Sequence, residues 1–138
     1  MSDGPESQAD RFSKARSERA SALLEDYTEL IADLTDEHGE ARLVDIARAM
    51  GIAHPTAAKA VSRLKREGLA TSRPYRGVFL TEAGEAMAEK ARIRHALVFD
   101  LLLAIGVPKE AAELDAEGIE HHVSDETLTA FEAFLRKG

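Results

Sequence analysis

The stretch Arg42-Leu43-Val44-Asp45-Ile46-Ala47-Arg48-Ala49-Met50-Gly51-Ile52-Ala53-His54-Pro55-Thr56-Ala57-Ala58-Lys59-Ala60-Val61-Ser62-Arg63-Leu64-Lys65-Arg66-Glu67-Gly68 reads as two short helices broken by a glycine turn. Gly51 closes the first helix, because glycine alone takes the left-handed conformation without strain. His54-Pro55-Thr56 restarts the chain, with proline suited to a first helical turn that needs no N–H. The second helix is amphipathic and basic, and Gly68 ends it. A short helix, a tight turn and a second basic helix form the helix-turn-helix pattern.

Working outward, Leu69-Ala70-Thr71-Ser72-Arg73 and Val78-Phe79-Leu80-Thr81 flank Pro74-Tyr75-Arg76-Gly77, two short strands about a turn. That hairpin makes the module a winged helix. Upstream, Leu23, Leu24, Tyr27, Leu30, Ile31 and Leu34 form one stripe at the helical period over about 21–37, stopped at His38-Gly39. Residues 1–20 lack such a stripe and read as a flexible arm, helical only near its end. Downstream, Thr81 can cap a long helix over 82–104 that Gly106 and Pro108 terminate. Helices over 109–122 and 125–136 follow, the last capped by Ser124. The expected fold class is mostly α, an N-terminal winged helix-turn-helix followed by a C-terminal helical domain. The expected divisions are an arm at 1–20, a winged-helix domain at 21–82 and a helical domain at 83–138.

The net charge of −7 argues at first against a polyanionic partner. Its distribution argues the opposite. Residues 42–76 hold eight basic side chains against two acidic ones, a local +6 that leaves −13 for the rest. A basic stretch inside an acidic protein is the footprint of a phosphate-binding surface. Small residues at Ala57, Ala58 and Ala60 let the second helix approach a major groove closely. The expected face for double-stranded DNA is Pro55, Thr56, Ala57, Lys59, Ser62 and Arg63 on that helix, with Arg73 and Arg76 on the hairpin. There is no cysteine, which excludes disulfide scaffolds, thiolate zinc sites and thiol catalysis. No apolar run reaches membrane-spanning length and the polar N-terminus is no signal peptide, so a cytoplasmic protein is expected.

The acidic remainder carries a second pattern. Glu117, Glu120 and His121 are spaced i, i+3 and i+4, which places them within a ~100° arc of one helix face. Asp26 and Glu29 are i, i+3 on an earlier helix, and His95 lies on the long one. Carboxylates and imidazoles without sulfur favour a hard or borderline divalent ion, Mn²⁺ or Fe²⁺ before Zn²⁺. Charged residues at helical spacing are equally ordinary on a solvated face, and spacing alone leaves both readings standing.

Taken together, Glu25-Asp26-Tyr27-Thr28-Glu29, Arg76-Gly77-Val78-Phe79-Leu80-Thr81, Arg94-His95 and Asp115–Ser124 resemble the diphtheria toxin repressor family of metal-dependent transcriptional regulators. The resemblance runs from about residue 21 to the C-terminus, and Glu117-Gly118-Ile119-Glu120-His121-His122 is its most specific stretch. It implies that the C-terminal domain dimerises and that Asp26, Glu29, His95, Glu117, Glu120 and His121 are the ligands. It further implies a binuclear site of two ions per chain, bridged by Glu29 and Glu120. Iron-responsive members have methionine where Asp26 stands and cysteine where Glu117 stands, so the resemblance points to Mn²⁺, with Fe²⁺ possible. The implied function is Mn²⁺-dependent repression of manganese homeostasis genes by a homodimer on a palindromic operator. His122 has no ligand role in this scheme. The surplus apolar run Leu97, Val98, Leu101, Leu102, Leu103 and Ile105 is an expected part of the dimer interface.

Three rival readings bound this one. An iron-responsive regulator could use the same ligands. A MarR-like winged-helix regulator with an organic effector would leave six ligand-type residues unexplained. A dimanganese hydrolase would need a general base, and the ligand set consumes every candidate. The chain is therefore expected to be no enzyme, with no organic ligand and no membrane partner.

Overall fold

The computed structural model describes residues 5–137, without the side chains of 5, 6 and 18. The element order is α1 (Pro5–His38), α2 (Leu43–Met50), α3 (His54–Arg66), β1 (Ala70–Ser72), β2 (Val78–Leu80), α4 (Glu82–Ala104), α5 (Lys109–Ile119) and α6 (Asp125–Lys137). Two compact units emerge. One is Leu24–Arg92; the other gathers residues before 24 with Ile93 onward. The division expected at residue 82 marks the start of α4, but the unit boundary lies within that helix. Among the described residues, no helix is long and apolar enough to cross a membrane.

In the unit Leu24–Arg92, α2 and α3 pack as a helix-turn-helix. Gly51 sits at φ 67°, and the N–H groups of Gly51 and Ile52 close α2 by bonding back to Arg48 and Ala47 carbonyls. Ile46 and Ala47 from α2 meet Ala57, Val61 and Leu64 from α3, with Tyr27 and Ile31 of α1 in the same core. Fully burying side chains the size of Ile46 and Leu64 stabilises by ~1.5–3 kcal/mol each. Burial also pushes the Tyr27 phenol pKa up, so it stays neutral.

The wing is antiparallel, with Ala70 opposite Leu80 and Ser72 opposite Val78. Ala41 adds a one-residue bridge to Val78, whose N–H donates to the Ala41 carbonyl at 2.8 Å. This docking requires glycine at 77, where a Cβ would stand 2.5 Å from the Ala41 carbonyl oxygen. Thr81 caps α4 as expected. Its hydroxyl accepts the Gly84 N–H at 3.1 Å and donates to the Gly68 carbonyl at 2.7 Å.

The other unit contains α5, α6 and the C-terminal part of α4. Val98, Ala112 and Ala116 are its buried apolar residues, and α6 buries none among the described residues. Ser124 caps α6, accepting the Thr127 N–H at 3.2 Å. Val98 therefore belongs to the interior of this unit and leaves the expected surplus run, whereas Leu103 and Ile105 are exposed.

Two element boundaries differ from expectation. The first four residues of the arm at 1–20 lie outside the described residues, but from Pro5 the chain is already helical and joins α1 without a break. No glycine or proline interrupts residues 6–38, and the segment is rich in helix formers, so the helix propagates without an apolar face. At the other end, α5 stops at Ile119 instead of reaching 122. Glu120 still bonds its N–H to Ala116, but His121 lies in the turn that follows.

Candidate metal centre and nucleic-acid interface

The buried residues of α3 set its phase. Ala57, Val61 and Leu64 recur at i, i+4 and i+7 and point into the core. Ala57 is 0% exposed, so it leaves the expected DNA face. Its small size allows α3 to pack against its own unit. Pro55, Thr56, Lys59 and Ser62 are exposed and Arg63 is half-buried, as a contact face requires. Arg66, seven residues beyond Lys59, is exposed on the same outward side and lies outside the expected set. The i, i+7 repeat is the signal that places it there.

The hairpin arginines are held in place. Arg73 and Arg76 lie over the Phe79 ring, at 5.2 and 5.4 Å from its centroid. Arg76 Nε also donates to Glu40 at 3.1 Å, and Arg42 Nε donates to the other oxygen of the same carboxylate at 2.8 Å. The Arg76 bond, then that from Arg42, hold the Glu40 pKa below its ordinary value. At the tip, Tyr75 takes a left-handed φ of 59° and is fully exposed. On α4, Arg92 reaches Asp33 at 2.5 Å and Asp36 at 3.4 Å, which joins α4 to the C-terminal half of α1 within this unit.

In the other unit, His95, Glu117, Glu120 and His121 come together. His95 projects from α4, its ring stacked on Phe99 with centroids 6.3 Å apart and planes 5° from parallel. The α5 helix presents Glu117 and ends on Glu120. His95 Nδ1 lies 2.9 Å from Glu120 Oε2 and 3.6 Å from Glu117 Oε1. The other Glu120 oxygen is 3.2 Å from His121 Nε2. One ligand atom each from His95, Glu117 and Glu120 fit within 4.8 Å of one another. Asp26 and Glu29 stand one turn apart on α1, both half-buried, in the unit Leu24–Arg92.

Two observations test the fit of a divalent cation here. Glu120 is fully buried, and a buried carboxylate requires a compensating positive charge. His95 Nδ1 is a buried nitrogen close to carboxylate oxygens that nevertheless makes no hydrogen bond. Nitrogen and oxygen atoms thus converge as electron-pair donors on a shared volume, without sulfur. This donor set suits Mn²⁺ or Fe²⁺. His122 is exposed.

A basic winged helix followed by a helical unit with an oxygen- and nitrogen-rich metal cluster defines a metal-dependent DNA-binding regulator. The comparisons agree. The model of the iron dependent repressor, N-terminal DNA binding domain, matches residues 20–78, and that of the iron dependent repressor, metal binding and dimerisation domain, matches 81–137. The chain belongs to this family, the diphtheria toxin repressor family of metal-dependent transcriptional regulators. It is 48% identical over 132 residues to the transcriptional regulator MntR of Escherichia coli O157:H7, covering 96% of this chain and 85% of that one. Among solved structures, the manganese regulator SloR matches with a TM-score of 0.72 at 26% identity, over 83% of this chain and 54% of that one. A manganese-dependent transcriptional repressor in complex with manganese matches with a TM-score of 0.69 at 26% identity, over 80% of this chain and 51% of that one. The chain spans about half the length of those two structures.

Proposed function

We propose that this chain is a Mn²⁺-dependent DNA-binding repressor of manganese homeostasis genes, working as a homodimer in the cytoplasm on a palindromic operator. The observation that carries the reading is the sulfur-free cluster of His95, Glu117, Glu120 and His121 around a fully buried carboxylate. The proposed ligand set is these four residues with Asp26 and Glu29, which together would hold two Mn²⁺ per chain. The whole set is oxygen and nitrogen, and the manganese regulators among the similar proteins favour Mn²⁺ over the Fe²⁺ in the family description.

When bound, the ions would supply positive charge and directional bonds to the ligand oxygens and nitrogens. The residues do the rest. Four ligand carboxylates repel one another without metal. The +4 of two ions offsets them and lifts the formal net charge from −7 to −3, which lessens repulsion from DNA. Ligands drawn from both α1 and the C-terminal unit would couple metal occupancy to the freedom of the winged helix. Half-sites about one helical turn apart demand a defined spacing of two α3 helices. Mn²⁺ would act as corepressor by raising the population with that spacing. The proposed DNA-facing residues are Pro55, Thr56, Lys59, Ser62, Arg63, Arg73 and Arg76, and the exposure of Arg66 on the same side of α3 supports including it.

The test is DNA binding measured against Mn²⁺ concentration for the wild type and Glu120→Ala. The wild type is expected to gain affinity for a selected duplex with Mn²⁺. Glu120→Ala should lose that gain and keep weak, salt-sensitive binding to any duplex. An equal Mn²⁺ response in the variant would refute the ligand assignment. Spin-coupled Mn²⁺ in electron paramagnetic resonance, at two ions per chain, would support a shared two-ion site. The same titration with Fe²⁺ tests the iron-responsive alternative.

A further inference from the structure

Between α3 and the wing lies a groove of about 310 Å³ lined by Ser62, Lys65, Ser72, Arg73 and Arg76, with Val78 among its apolar residues. Three of these side chains are cationic, two are hydroxyls, and no carboxylate lines the groove among the described residues. We infer that this groove seats one phosphate of the DNA backbone and that Lys65 and Ser72 help to bind it without reading bases.

The chemistry and the position agree. A phosphate diester offers two anionic oxygens and no donor, matching a site that offers ammonium, guanidinium and hydroxyl donors. The arginines are already oriented, because both lie over Phe79 and Arg76 is held through Nε by Glu40. Less side-chain freedom is then lost on binding. The groove adjoins the outward face of α3, where Lys59, Arg63 and Arg66 lie. A recognition helix in a major groove has a backbone strand on each side of it. The strand nearer the wing must cross the space between the wing and α3. A small free anion would have no use for that continuity.

The inference divides the basic surface into two tasks. Thr56 and Lys59, near the N-terminus of α3, are left to reach base edges. Ser62, Lys65, Ser72 and the wing arginines fix register on the backbone. It rests on the DNA-binding reading but not on the choice of metal.

The experiment measures affinity against salt for wild type, Lys65→Gln, Lys65→Arg and Ser72→Ala, at saturating Mn²⁺ and with chelator. The probes are a random-sequence duplex and the duplex the protein selects from a random pool. Lys65 is exposed, and thermal melts check that each variant keeps the fold. Lys65→Gln is expected to lower the slope of log K against log salt by about one unit. It should weaken both duplexes by the same factor, roughly tenfold at moderate salt. Lys65→Arg should restore the slope. Ser72→Ala should weaken both duplexes equally with the slope unchanged. An unchanged slope in Lys65→Gln, or a loss confined to the selected duplex, would overturn the phosphate seat. So would saturation of the Lys65 and Ser72 amide shifts by inorganic phosphate alone together with an unchanged DNA slope. Wild-type binding that ignores Mn²⁺ would sink the corepressor reading and leave the slope test standing.

Discussion

Leu64 on α3 is 0% exposed, while Leu114 on α5 is 77% exposed. The contrast extends to the units that hold them. Around Leu64, helices, wing and α1 contribute Tyr27, Ile31, Ile46, Val61, Leu69 and Val78 to one interior. Around Leu114, the buried apolar residues among the described ones reduce to Val98, Ala112 and Ala116. Leu103, Ile105, Leu114, Ile119 and Phe134 remain exposed. A surface cavity beside Leu114 and Ile119, with Val123 and His122, is also largely apolar. One unit supplies its own core. The other exposes apolar surface of the kind a second copy covers, and it buries a carboxylate of the kind a cation compensates. The division suits a regulator: the reading surface must be rigid, and the regulated part must gain its last stability from what it senses.

The largest effect should come from the closed interior. Leu64→Ala is expected to cost ~2–5 kcal/mol, because a fully packed site cannot collapse around the missing atoms. Urea denaturation of the metal-free protein reads this directly. Leu114→Ala should change stability by less than about 0.5 kcal/mol in the same measurement at monomeric concentration. Similar losses in the two variants would break the comparison.

A smaller effect lies at the open surface. Leu114→Asp is expected to raise the dimer dissociation constant by about tenfold or more, equivalent to ~1.4–3 kcal/mol at a central contact. Sedimentation equilibrium would show monomer where the wild type is dimeric, with the helical content of each chain retained. A variant that stays dimeric would move the interface to another exposed element, such as the face of α6 bearing Phe134.

What could be read from the chain depends on how locally each feature is determined. The stops at Gly39, Gly51, Gly68 and Gly106 and the caps at Thr81 and Ser124 were legible, because one residue and its immediate neighbours settle them. The early start of α1 was not, since helix propagation by propensity leaves no apolar stripe to detect. Ala57 was misassigned because alanine fits a core and a groove equally well; the phase set by Val61 and Leu64 settles which. The early stop of α5 leaves His121 in a turn, and no capping residue announces it. The metal cluster unites α4 with the end of α5, a proximity that spacing within either helix cannot contain. Only the resemblance to a family joined those residues beforehand. The clamp of Glu40 on Arg76 joins positions 36 apart, and nothing local foretells it.

That clamp gives the smallest prediction and the sharpest separation of the two units. Arg76 and Arg42 hold the Glu40 carboxylate below its ordinary pKa in the folded protein. In the unfolded chain it titrates near ~4.3. Its stabilisation is therefore fully present above that pH and is lost as pH falls through the lower folded value. Glu40→Gln removes the charge and keeps the shape. The melting temperature of the wild type should exceed that of the variant at pH 6, and the two should converge as pH falls below about 4. The pair is near the surface, so the difference should be modest and shrink with salt. Because Glu40, Arg42 and Arg76 all lie within Leu24–Arg92, the convergence should be the same with chelator and, above the pH at which metal is released, with Mn²⁺. A pH dependence that changes with Mn²⁺ over that shared range would show that the wing responds to the metal through Glu40, and the reading unit would then not be a rigid body carried by the sensor.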